Sequence, residues 1–522
     1  MITLEWVLAL LLGAVLLASL ARRLAIPSPA LLALGGMVLA LLPNGPRLTL
    51  DPDLALALFV APVLLDAAFD SPIRDLRKNW FPVVSLILVA VSLTTGAVAF
   101  VARWIEPAMP WPVAVTLGAL VAPPDAAAAT AILKEVKLPH RLLVILEGES
   151  LLNDASALMI YRLAVGAAVA HGAAIGVAST LAVVLGGSIA AGIALAFVFG
   201  DIVSRFSDVP SSIIMQFIGA FGAWILAERL DLSGVLVVVT FAVTLSYFSP
   251  VTMPAAIRVP SYAVWDTAVF LLNALAFVMV GLQIGPILSR IGPGQRDQSL
   301  IFAVAVLVTV ILARAGWVMT YNRSLWLINM VVGSHTPRSM AAPPFKRSAV
   351  VAWSGMRGIV TLAAALALPD GSGGTPAFPY RDLIVLTAFT VVLGTLVIQG
   401  LTLRPLVQAL GLDDDENIED EMAIGRKEIF KAAIESLADR DTEVASQLRS
   451  EYLGLLRLID GTRELSPEAR QAEDELRANA RAAARERLSQ LRITGAIGDS
   501  TFHRLEAELD MMDLETEVRS RW

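Results

Sequence analysis

Long apolar stretches separated by short polar loops occupy the chain up to residue 412. A helix that spans a membrane needs about 20 mostly apolar residues, and stretches of this kind recur throughout the region. The pattern predicts an all-α, polytopic membrane protein with about thirteen transmembrane helices. The predicted helices cover residues 4–20, 28–43, 54–70, 80–104, 111–134, 142–169, 175–204, 211–229, 233–249, 263–284, 299–321, 347–368 and 382–404.

Residues 413–522 have a different composition. They contain 27 acidic and 16 basic residues, whereas residues 1–412 contain 20 acidic and 24 basic residues. Apolar residues at helical spacing in 429–437 and 448–459 indicate amphipathic helices. We therefore expect a transmembrane domain at 1–412 and a water-soluble helical domain at 413–522. The second domain is expected to be regulatory or to support a dimer, and its partner is not identified by the sequence.

The charges around the predicted helices indicate an orientation. Glu5 precedes the first helix, and Arg22 and Arg23 follow it. That order fits a transmembrane helix with its N-terminus outside, and it does not fit a signal peptide. With this orientation, fourteen basic residues lie in inner loops and six in outer loops, in agreement with the positive-inside rule. We expect a multi-pass protein of the cell membrane with a cytoplasmic C-terminal domain.

The composition excludes several classes of function. Charged residues make up 17% of the chain, against about 25% in soluble domains. The chain has no strongly basic patch of the kind that binds nucleic acid. It contains no cysteine, which excludes disulfides and thiolate metal sites. We expect membrane lipid as the surroundings, no nucleic-acid partner and no cofactor.

Two of the predicted helices are interrupted near their middle. The fifth contains Pro123 and Pro124 directly before Asp125, and two prolines block a regular helix. The twelfth contains the stretch Ser-Gly-Met-Arg-Gly at 354–358. The two helices are seven apart, and an odd offset predicts two repeats of inverted orientation. Paired interrupted helices in inverted repeats indicate the binding site of a transporter.

Polar side chains lie close to these interruptions, near the predicted midplane of the membrane. The sixth predicted helix carries Glu149, Ser150, Asn153 and Asp154, and Asp125 lies at a similar depth. Ser150 and Asp154 are four residues apart and therefore share a helix face. Ionisable groups inside a membrane are costly and usually mark a pathway or an ion pair. Together these residues offer carboxylate, amide and hydroxyl oxygens, which suit Na⁺ or Li⁺.

A carboxylate in such a site can hold either H⁺ or a monovalent cation near neutral pH. Interrupted helices also expose backbone carbonyls, such as that of Pro124, which can coordinate Na⁺. Arg357, at a similar predicted depth, could neutralise Glu149 and leave Asp154 and Asp125 to titrate. The residues therefore favour a transporter that exchanges a cation for H⁺, not an enzyme.

The stretch Glu-Gly-Glu-Ser-Leu-Leu-Asn-Asp at 147–154, with Asp125 and residues 353–362, resembles the bacterial cation:proton antiporter-1 (NhaP/NHE-like) family of Na⁺/H⁺ antiporters. The likeness covers most of residues 50–410 and extends through 223–239, 265–283 and 394–405. It implies an antiporter fold with a core and a dimerisation bundle, a homodimer, and alternating access by movement of the core.

The resemblance also implies roles for individual residues. Asp154, Asp125 and Ser150 would bind the ion, and Asn153 would support them. The two aspartates would carry the exchange itself. Asp66 lies in a segment that resembles the one in which the family has a glutamate near the ion, and its shorter side chain has less reach.

A structural ion pair between Glu149 and Arg357 is implied as well. Two positions matter for the type of exchange. Pro124 stands where the family often has a threonine, and the missing hydroxyl leaves the choice of cation open. Asn153, in place of a second aspartate, resembles the electroneutral branch of the family, which implies one H⁺ for each cation.

Three other functions are compatible with parts of the pattern. A K⁺/H⁺ exchanger would need the same kind of site. An intramembrane aspartyl protease also uses two aspartates, but we expect a Gly-x-Gly-Asp setting there, and Asp154 follows Leu-Leu-Asn. A cation channel would usually repeat a filter loop around an axis, and the sequence contains no such repeat.

Three further polar residues of the apolar region receive a structural interpretation. Arg314 and Arg162 are expected to pack between helices or to extend towards the membrane surface. Gln399 is expected to bridge two helices by hydrogen bonds. None of the three is assigned to the ion site.

Overall fold

A computed structural model of the chain describes most of the sequence. The described residues are 2–24, 26–42, 52–69, 80–125, 140–169, 177–203, 205–206, 208–252, 254–332, 345–371, 376–412, 417–438, 442–459 and, except for 485 and 489, 483–490. Within this part of the chain every regular element is helical. The protein divides into two compact units, Met1–Asp414 and Asp415–Trp522.

The described part of the first unit contains seventeen α-helices. They are α1 (Ile2–Leu24), α2 (Ser28–Leu41), α3 (Pro52–Ala55), α4 (Ala61–Phe69), α5 (Trp80–Val84), α6 (Val91–Ile105), α7 (Trp111–Val121), α8 (His140–Val169), α9 (Val177–Val203), α10 (Val209–Arg229), α11 (Gly234–Thr252), α12 (Ala255–Leu282), α13 (Ile284–Arg290), α14 (Arg296–Val332), α15 (Phe345–Trp353), α16 (Ile359–Leu366) and α17 (Arg381–Leu410). Two π-helical segments, π1 (Leu56–Val60) and π2 (Ser85–Ala90), join α3 to α4 and α5 to α6, and a 3₁₀ turn (Pro293–Gln295) precedes α14.

Prolines and a capping side chain explain where several helices begin. Pro29, Pro112 and Pro210 lie in the first turns of α2, α7 and α10. A missing N–H costs no hydrogen bond there, because the first amides of a helix have no intrahelical acceptor. Asp208 caps α10, since its carboxylate accepts a hydrogen bond from the amide of Ser211 at 2.9 Å.

Most of the predicted transmembrane helices overlap an observed helix, although α12 begins eight residues before the predicted 263–284 and α14 ends eleven residues after the predicted 299–321. Predicted helix 142–169 corresponds to α8, and predicted helix 382–404 lies inside α17. Six described helical stretches are long and apolar enough to cross a membrane, and four shorter ones are also apolar. The all-helical fold is therefore confirmed. The number thirteen stays a prediction, because residues 126–139 of the fifth predicted helix lie outside the described residues.

The helices of the first unit pack as two bundles. In the first bundle, α2 packs against α1 and α12, and α11 packs against α4, α9 and α10. In the second bundle, α7 packs against α6 and α8, and α14 packs against α6, α15 and α17. We define the first bundle as α1–α4 with α9–α12, and the second as α5–α8 with α14–α17. Each bundle thus combines helices from both halves of the transmembrane region.

Glycine permits the closest helix contact of the first bundle. A Cβ atom on Gly36 of α2 would overlap the carbonyl of Val278 in α12, and one on Gly281 of α12 would overlap the carbonyl of Ala33 in α2. Two helix backbones can approach this closely only where neither carries a side chain. The pair of glycines therefore fixes where α2 and α12 cross.

The second unit contains two described helices that pack against each other, α18 (Asn417–Ser436) and α19 (Glu443–Ile459). The rings of Phe430 and Tyr452 lie 6.0 Å apart between them. Arg449 of α19 donates hydrogen bonds to the carbonyls of Leu437 and Ala438 just beyond the end of α18. The cytoplasmic location and the regulatory role of the second unit stay predictions.

Candidate functional site

The two interrupted helices meet at their interruptions. Helix α7 ends at Val121, Ala122 still has helical backbone angles, and residues 123–125 continue outside any regular helix. Helix α15 ends at Trp353, and α16 begins only at Ile359. The amide of Asp125 donates a 2.6 Å hydrogen bond to the carbonyl of Met356. The two interruptions are therefore in contact in the described residues, and we call this contact the crossing.

A glycine accommodates the Asp125 side chain at the crossing. A Cβ atom on Gly358 would overlap the Asp125 carboxylate, so the carboxylate lies directly against the Gly358 backbone. Asp125 itself is half-buried. Glycine is thus required at 358 for close approach of a side chain, which is a separate reason from its position directly before the start of α16.

Helix α8 supplies the third element of the site. Asn153, with an exposed fraction of 0%, donates a 2.8 Å hydrogen bond from Nδ2 to the carbonyl of Pro124. Its Oδ1 atom is buried and has no hydrogen-bond partner among the described residues. The next residue, Asp154, is 8% exposed and lies near enough to Asp125 for the two carboxylates to repel each other. The structure therefore brings Asp154, Asn153 and Asp125 together.

The ion pair of Glu149 differs from the predicted one. Both carboxylate oxygens of Glu149 accept hydrogen bonds from Arg314 of α14, at 2.5 and 2.8 Å. Arg314 also donates to the carbonyl of Val351 through Nε and Nη2. The predicted partner, Arg357, makes no hydrogen bond to Glu149 among the described residues. The predicted Glu149–Arg357 pair is therefore corrected to Glu149–Arg314.

Arg357 is committed to the backbone of the crossing, and this is the physical reason for the difference. Its guanidinium donates to the carbonyls of Val121 (3.0 Å) and Ala122 (3.2 Å), at the end of α7, and to that of Gly355. Its own amide donates to the Thr395 hydroxyl of α17 at 3.0 Å. The last carbonyls of a helix lack intrahelical donors, so fully buried Arg357 caps α7.

The two guanidiniums nevertheless lie side by side. A Cβ atom on Gly355 would contact both Arg314 and Arg357, and Arg357 interacts electrostatically with Arg314 and with Glu149. The expectation that Arg314 packs between helices or extends towards the membrane surface missed its role as the partner of Glu149. A count of the charged residues in the apolar helices could have indicated this role. Pairing Glu149 with Arg357 left the positive charge of Arg314 without a carboxylate partner.

The remaining predicted site residues have different outcomes. Ser150 lies in α8, and its side chain is outside the described residues. Asp66 is half-buried in α4, which packs against α11 and also contacts α8. The Pro124 carbonyl accepts the Asn153 hydrogen bond, and its second lone pair is available in principle to a cation.

Two further polar residues depart from their structural interpretation. Gln399 is fully buried in α17, but neither amide atom has a hydrogen-bond partner among the described residues, so the predicted helix bridge is absent. Arg162 of α8 forms an ion pair with Glu228 of α10 at 2.9 Å and donates to the carbonyl of Leu232 at 3.2 Å. This ion pair joins the second bundle to the first.

The charges of the site do not balance. Three carboxylates, those of Asp125, Asp154 and Glu149, accompany two guanidiniums, those of Arg314 and Arg357. With all five ionised, these five residues carry one negative charge in excess; Asp66 of the first bundle is not counted among them. Because an uncompensated charge inside a low-polarity region is costly, the site can accept one monovalent cation or one H⁺.

Comparison with known families gives a match over most of the chain. The family described as "Sodium/hydrogen exchanger, transmembrane" matches residues 7–409. This range contains all residues of the crossing and of the Glu149–Arg314 pair.

Similar proteins and structures agree with this match. An uncharacterized Na⁺/H⁺ exchanger of Mycobacterium tuberculosis is 30% identical over 531 residues, which cover 98% of this chain and 95% of that protein. A sodium, potassium, lithium and rubidium/H⁺ antiporter of Bacillus pumilus is 28% identical over 452 residues, 83% of this chain and 66% of that protein. The sodium proton antiporter MjNhaP1 of Methanocaldococcus jannaschii superposes with a TM-score of 0.60 at 20% identity, over 79% of this chain and 99% of that chain. This last likeness concerns the fold.

Proposed function

The chain belongs to the sodium/hydrogen exchanger family, and from this premise we propose that it is a secondary active antiporter that exchanges Na⁺ or Li⁺ for H⁺, one for one, by alternating access. The family is one of transporters, so cation/proton antiport is the class of activity. The intramembrane protease is accordingly set aside. The identity of the cation, the stoichiometry and the mechanism are the parts that we propose.

The observation that carries the proposal is the position of Asp154. Its buried carboxylate lies beside Asp125 and next to Asn153, whose Oδ1 has no partner among the described residues. These oxygens are hard ligands of the kind that alkali cations prefer. A carboxylate that binds H⁺ loses its charge and with it the cation, so the two ions compete for one group. Such competition is the chemical basis of exchange.

The one-for-one stoichiometry rests on the charge of the site. Three carboxylates and two guanidiniums leave one negative charge in excess. Either Na⁺ or H⁺ cancels that charge, and a second proton would leave the site with a positive charge. If the site has the same charge when it holds Na⁺ as when it holds H⁺, one full exchange cycle moves no net charge across the membrane. The exchange is therefore proposed to be electroneutral.

Alternating access is supported by how the site is distributed. Asp125, Asp154 and Arg357 lie on or between helices of the second bundle, whereas Asp66 lies in α4 of the first. A movement of the second bundle relative to the first would carry the bound ion with its ligands. Packed bundles can shift in this way because interfaces between rigid bodies have discrete arrangements.

A K⁺/H⁺ exchanger is the second candidate. The antiporter of Bacillus pumilus carries potassium and rubidium in its name as well as sodium and lithium. Pro124 leaves the site without a threonine hydroxyl, and that donor could otherwise narrow the choice of ion. Na⁺ or Li⁺ remains our first choice because carboxylate and carbonyl oxygens hold small cations most strongly.

Several features of the assembly belong to the same proposal. We infer a homodimer in the cell membrane, surrounded by lipid, with the N-terminus outside and the C-terminal unit in the cytoplasm. The two bundles, each built from both halves of the transmembrane region, support a pair of inverted repeats. The C-terminal unit is proposed to be regulatory.

A proteoliposome assay tests the function. Purified protein is reconstituted, a pH gradient is imposed, and Na⁺, Li⁺ or K⁺ is added while the internal pH is followed. We expect Na⁺ and Li⁺ to dissipate the gradient, at a rate that does not change when the membrane potential is clamped with valinomycin and K⁺. No dissipation with any cation would contradict antiport, and a rate that follows the potential would contradict electroneutrality.

A further inference from the structure

A small cavity lies between the two bundles, beside the crossing. It has a volume of about 40 Å³, which is more than one ordered water needs. Residues of the first bundle, including Ala55 and Phe59, face residues of α16 across it. All of the described side chains that line it, except one, are apolar. The exception is Gln283, which lies between the end of α12 and the start of α13.

One end of this cavity lies next to the ion site in the chain. Ile359 lines it and directly follows Gly358, whose backbone packs against the Asp125 carboxylate. Leu366, the last residue of α16, lines the other end. Leu366 lies seven positions after Ile359 in α16, and each position adds ~1.5 Å along the helix. The cavity therefore follows α16 for about 10 Å. It therefore leads from the crossing towards the membrane face at which α12 and α16 end.

The Gln283 amide is placed to contact whatever enters this space. Its side chain is half-buried and makes no hydrogen bond to any described residue. An ion that moves through an apolar passage loses hydration, which is costly unless oxygen ligands replace part of it. Among the described residues that line the cavity, Gln283 supplies the one side-chain oxygen, and water can occupy the remaining space.

We propose that the cavity is the route of the cation between the crossing and the face at which α12 ends, and that the Gln283 carbonyl oxygen is a ligand on this route. Gln283 thereby sets the affinity for a cation that arrives from that face and does not affect a cation that arrives from the other face. The inference rests on the proposed exchange function. It adds a residue that lies outside the interrupted helices and outside the motif at 147–154.

A labelling experiment tests the route without any transport measurement. The natural chain contains no cysteine, so Gln283→Cys carries a single thiol. Val278→Cys is the matched control, because Val278 lies in the same helix, is 2% exposed and packs against α2 away from the cavity. A membrane-impermeant maleimide added to sealed vesicles of each orientation should modify Gln283→Cys from one face and leave Val278→Cys unmodified. A Gln283→Cys thiol that is inert from both faces overturns the route.

A kinetic experiment tests the ligand. Gln283→Met keeps the length of the side chain and removes its oxygen, whereas Met279→Leu changes an apolar residue of the same cavity and serves as the control. We expect Gln283→Met to raise the KM for Na⁺ about tenfold from the face at which Gln283→Cys is labelled, with the KM from the other face unchanged. Gln283→Asn should recover part of the affinity.

The outcomes separate the inference from the function on which it rests. If wild-type protein and all variants fail to exchange ions, the proposed function is wrong. If the wild type exchanges ions and Gln283→Met has the wild-type KM from both faces, only the ligand role of Gln283 is wrong. Equal increases in KM from both faces also contradict it, because a general structural defect is not specific to one face.

Discussion

The amide of Asp125 donates a hydrogen bond to the carbonyl of Met356 at 2.6 Å, and this bond joins the two interrupted helices where each loses its regular geometry. Arg357 strengthens the junction by capping the end of α7 through the Val121 and Ala122 carbonyls. The crossing therefore holds the Asp125 carboxylate in a fixed place, opposite Asp154 on α8. Four predictions follow from this arrangement and from the contacts around it.

Replacement of Gly358 should disable transport. The Cβ atom of Gly358→Ala would overlap the Asp125 carboxylate and displace it from the site. We expect the exchange rate to fall at least about tenfold, because a displacement of a functional group by ~1 Å can cost more than that. Gly222→Ala is the matched control, since a Cβ atom at Gly222 has open space around it. A Gly358→Ala protein with the wild-type rate would show that the carboxylate position is not critical.

The Glu149–Arg314 pair should govern stability. Arg314→Ala leaves a buried carboxylate without its cation, which typically costs about 3–5 kcal/mol. The thermal midpoint in detergent should therefore fall, and the additional change Glu149→Gln should restore part of it. Arg357→Ala is the informative comparison, because that residue caps α7 and does not bond Glu149.

For Arg357→Ala we expect a lower midpoint that Glu149→Gln does not restore, since the carbonyls at the end of α7 stay without donors. The pattern of rescue is measured by the four midpoints of each double-mutant cycle. If Glu149→Gln restored the midpoint of Arg357→Ala and not that of Arg314→Ala, the ion-pair partner of Glu149 would be Arg357.

The ion pair between Arg162 and Glu228 should report movement between the bundles. Both side chains are about half exposed, so the pair adds little to stability, but it joins α8, which carries Asp154, to α10 of the first bundle. A bifunctional thiol reagent that links Arg162→Cys to Glu228→Cys should stop transport. Reagents with a cleavable linker should let transport resume after cleavage.

The control for this experiment is Asp201→Cys with Arg205→Cys, a pair four residues apart at the end of α9. Linking these two residues constrains one segment and should leave the rate unchanged. If the Arg162–Glu228 link also leaves transport intact, the two bundles do not move relative to each other at this place.

Much of the fold could be predicted from the sequence because membrane helices are long apolar segments. The predicted helix 142–169 and the observed α8 (His140–Val169) differ by two residues at one end. The interruptions could be predicted because Pro123 and Pro124 lack amide donors and because glycines flank Arg357. Local chemistry was sufficient for both.

The partners inside the site could not be predicted in the same way. Glu149, Arg314 and Arg357 all have depths that allow contact, and depth along a helix says nothing about which way a side chain faces. The choice depends on the unpaired carbonyls at the end of α7, which attract Arg357 and leave Arg314 for Glu149. The cavity beside Gln283 depends on how two bundles pack, which is likewise a property of the folded chain.

In the proposed exchange, the single carboxylate of Asp154 binds the cation and H⁺ in turn. Asp154→Asn keeps the size of the side chain and one oxygen but removes the charge that both ions require. The variant should fold normally, with the thermal midpoint and elution volume of the wild type. Asp154→Glu keeps a carboxylate in a shifted position and should retain weak exchange with an altered dependence on pH.

The measurement that tests this claim most directly is the dissipation of an imposed pH gradient by purified Asp154→Asn protein in liposomes, after addition of Na⁺ or Li⁺. With Asp154→Asn, neither cation should dissipate the gradient faster than in protein-free liposomes, whereas wild-type protein in the same preparation should do so. A wild-type rate from Asp154→Asn would contradict the account, because the shared carboxylate would then be dispensable for exchange.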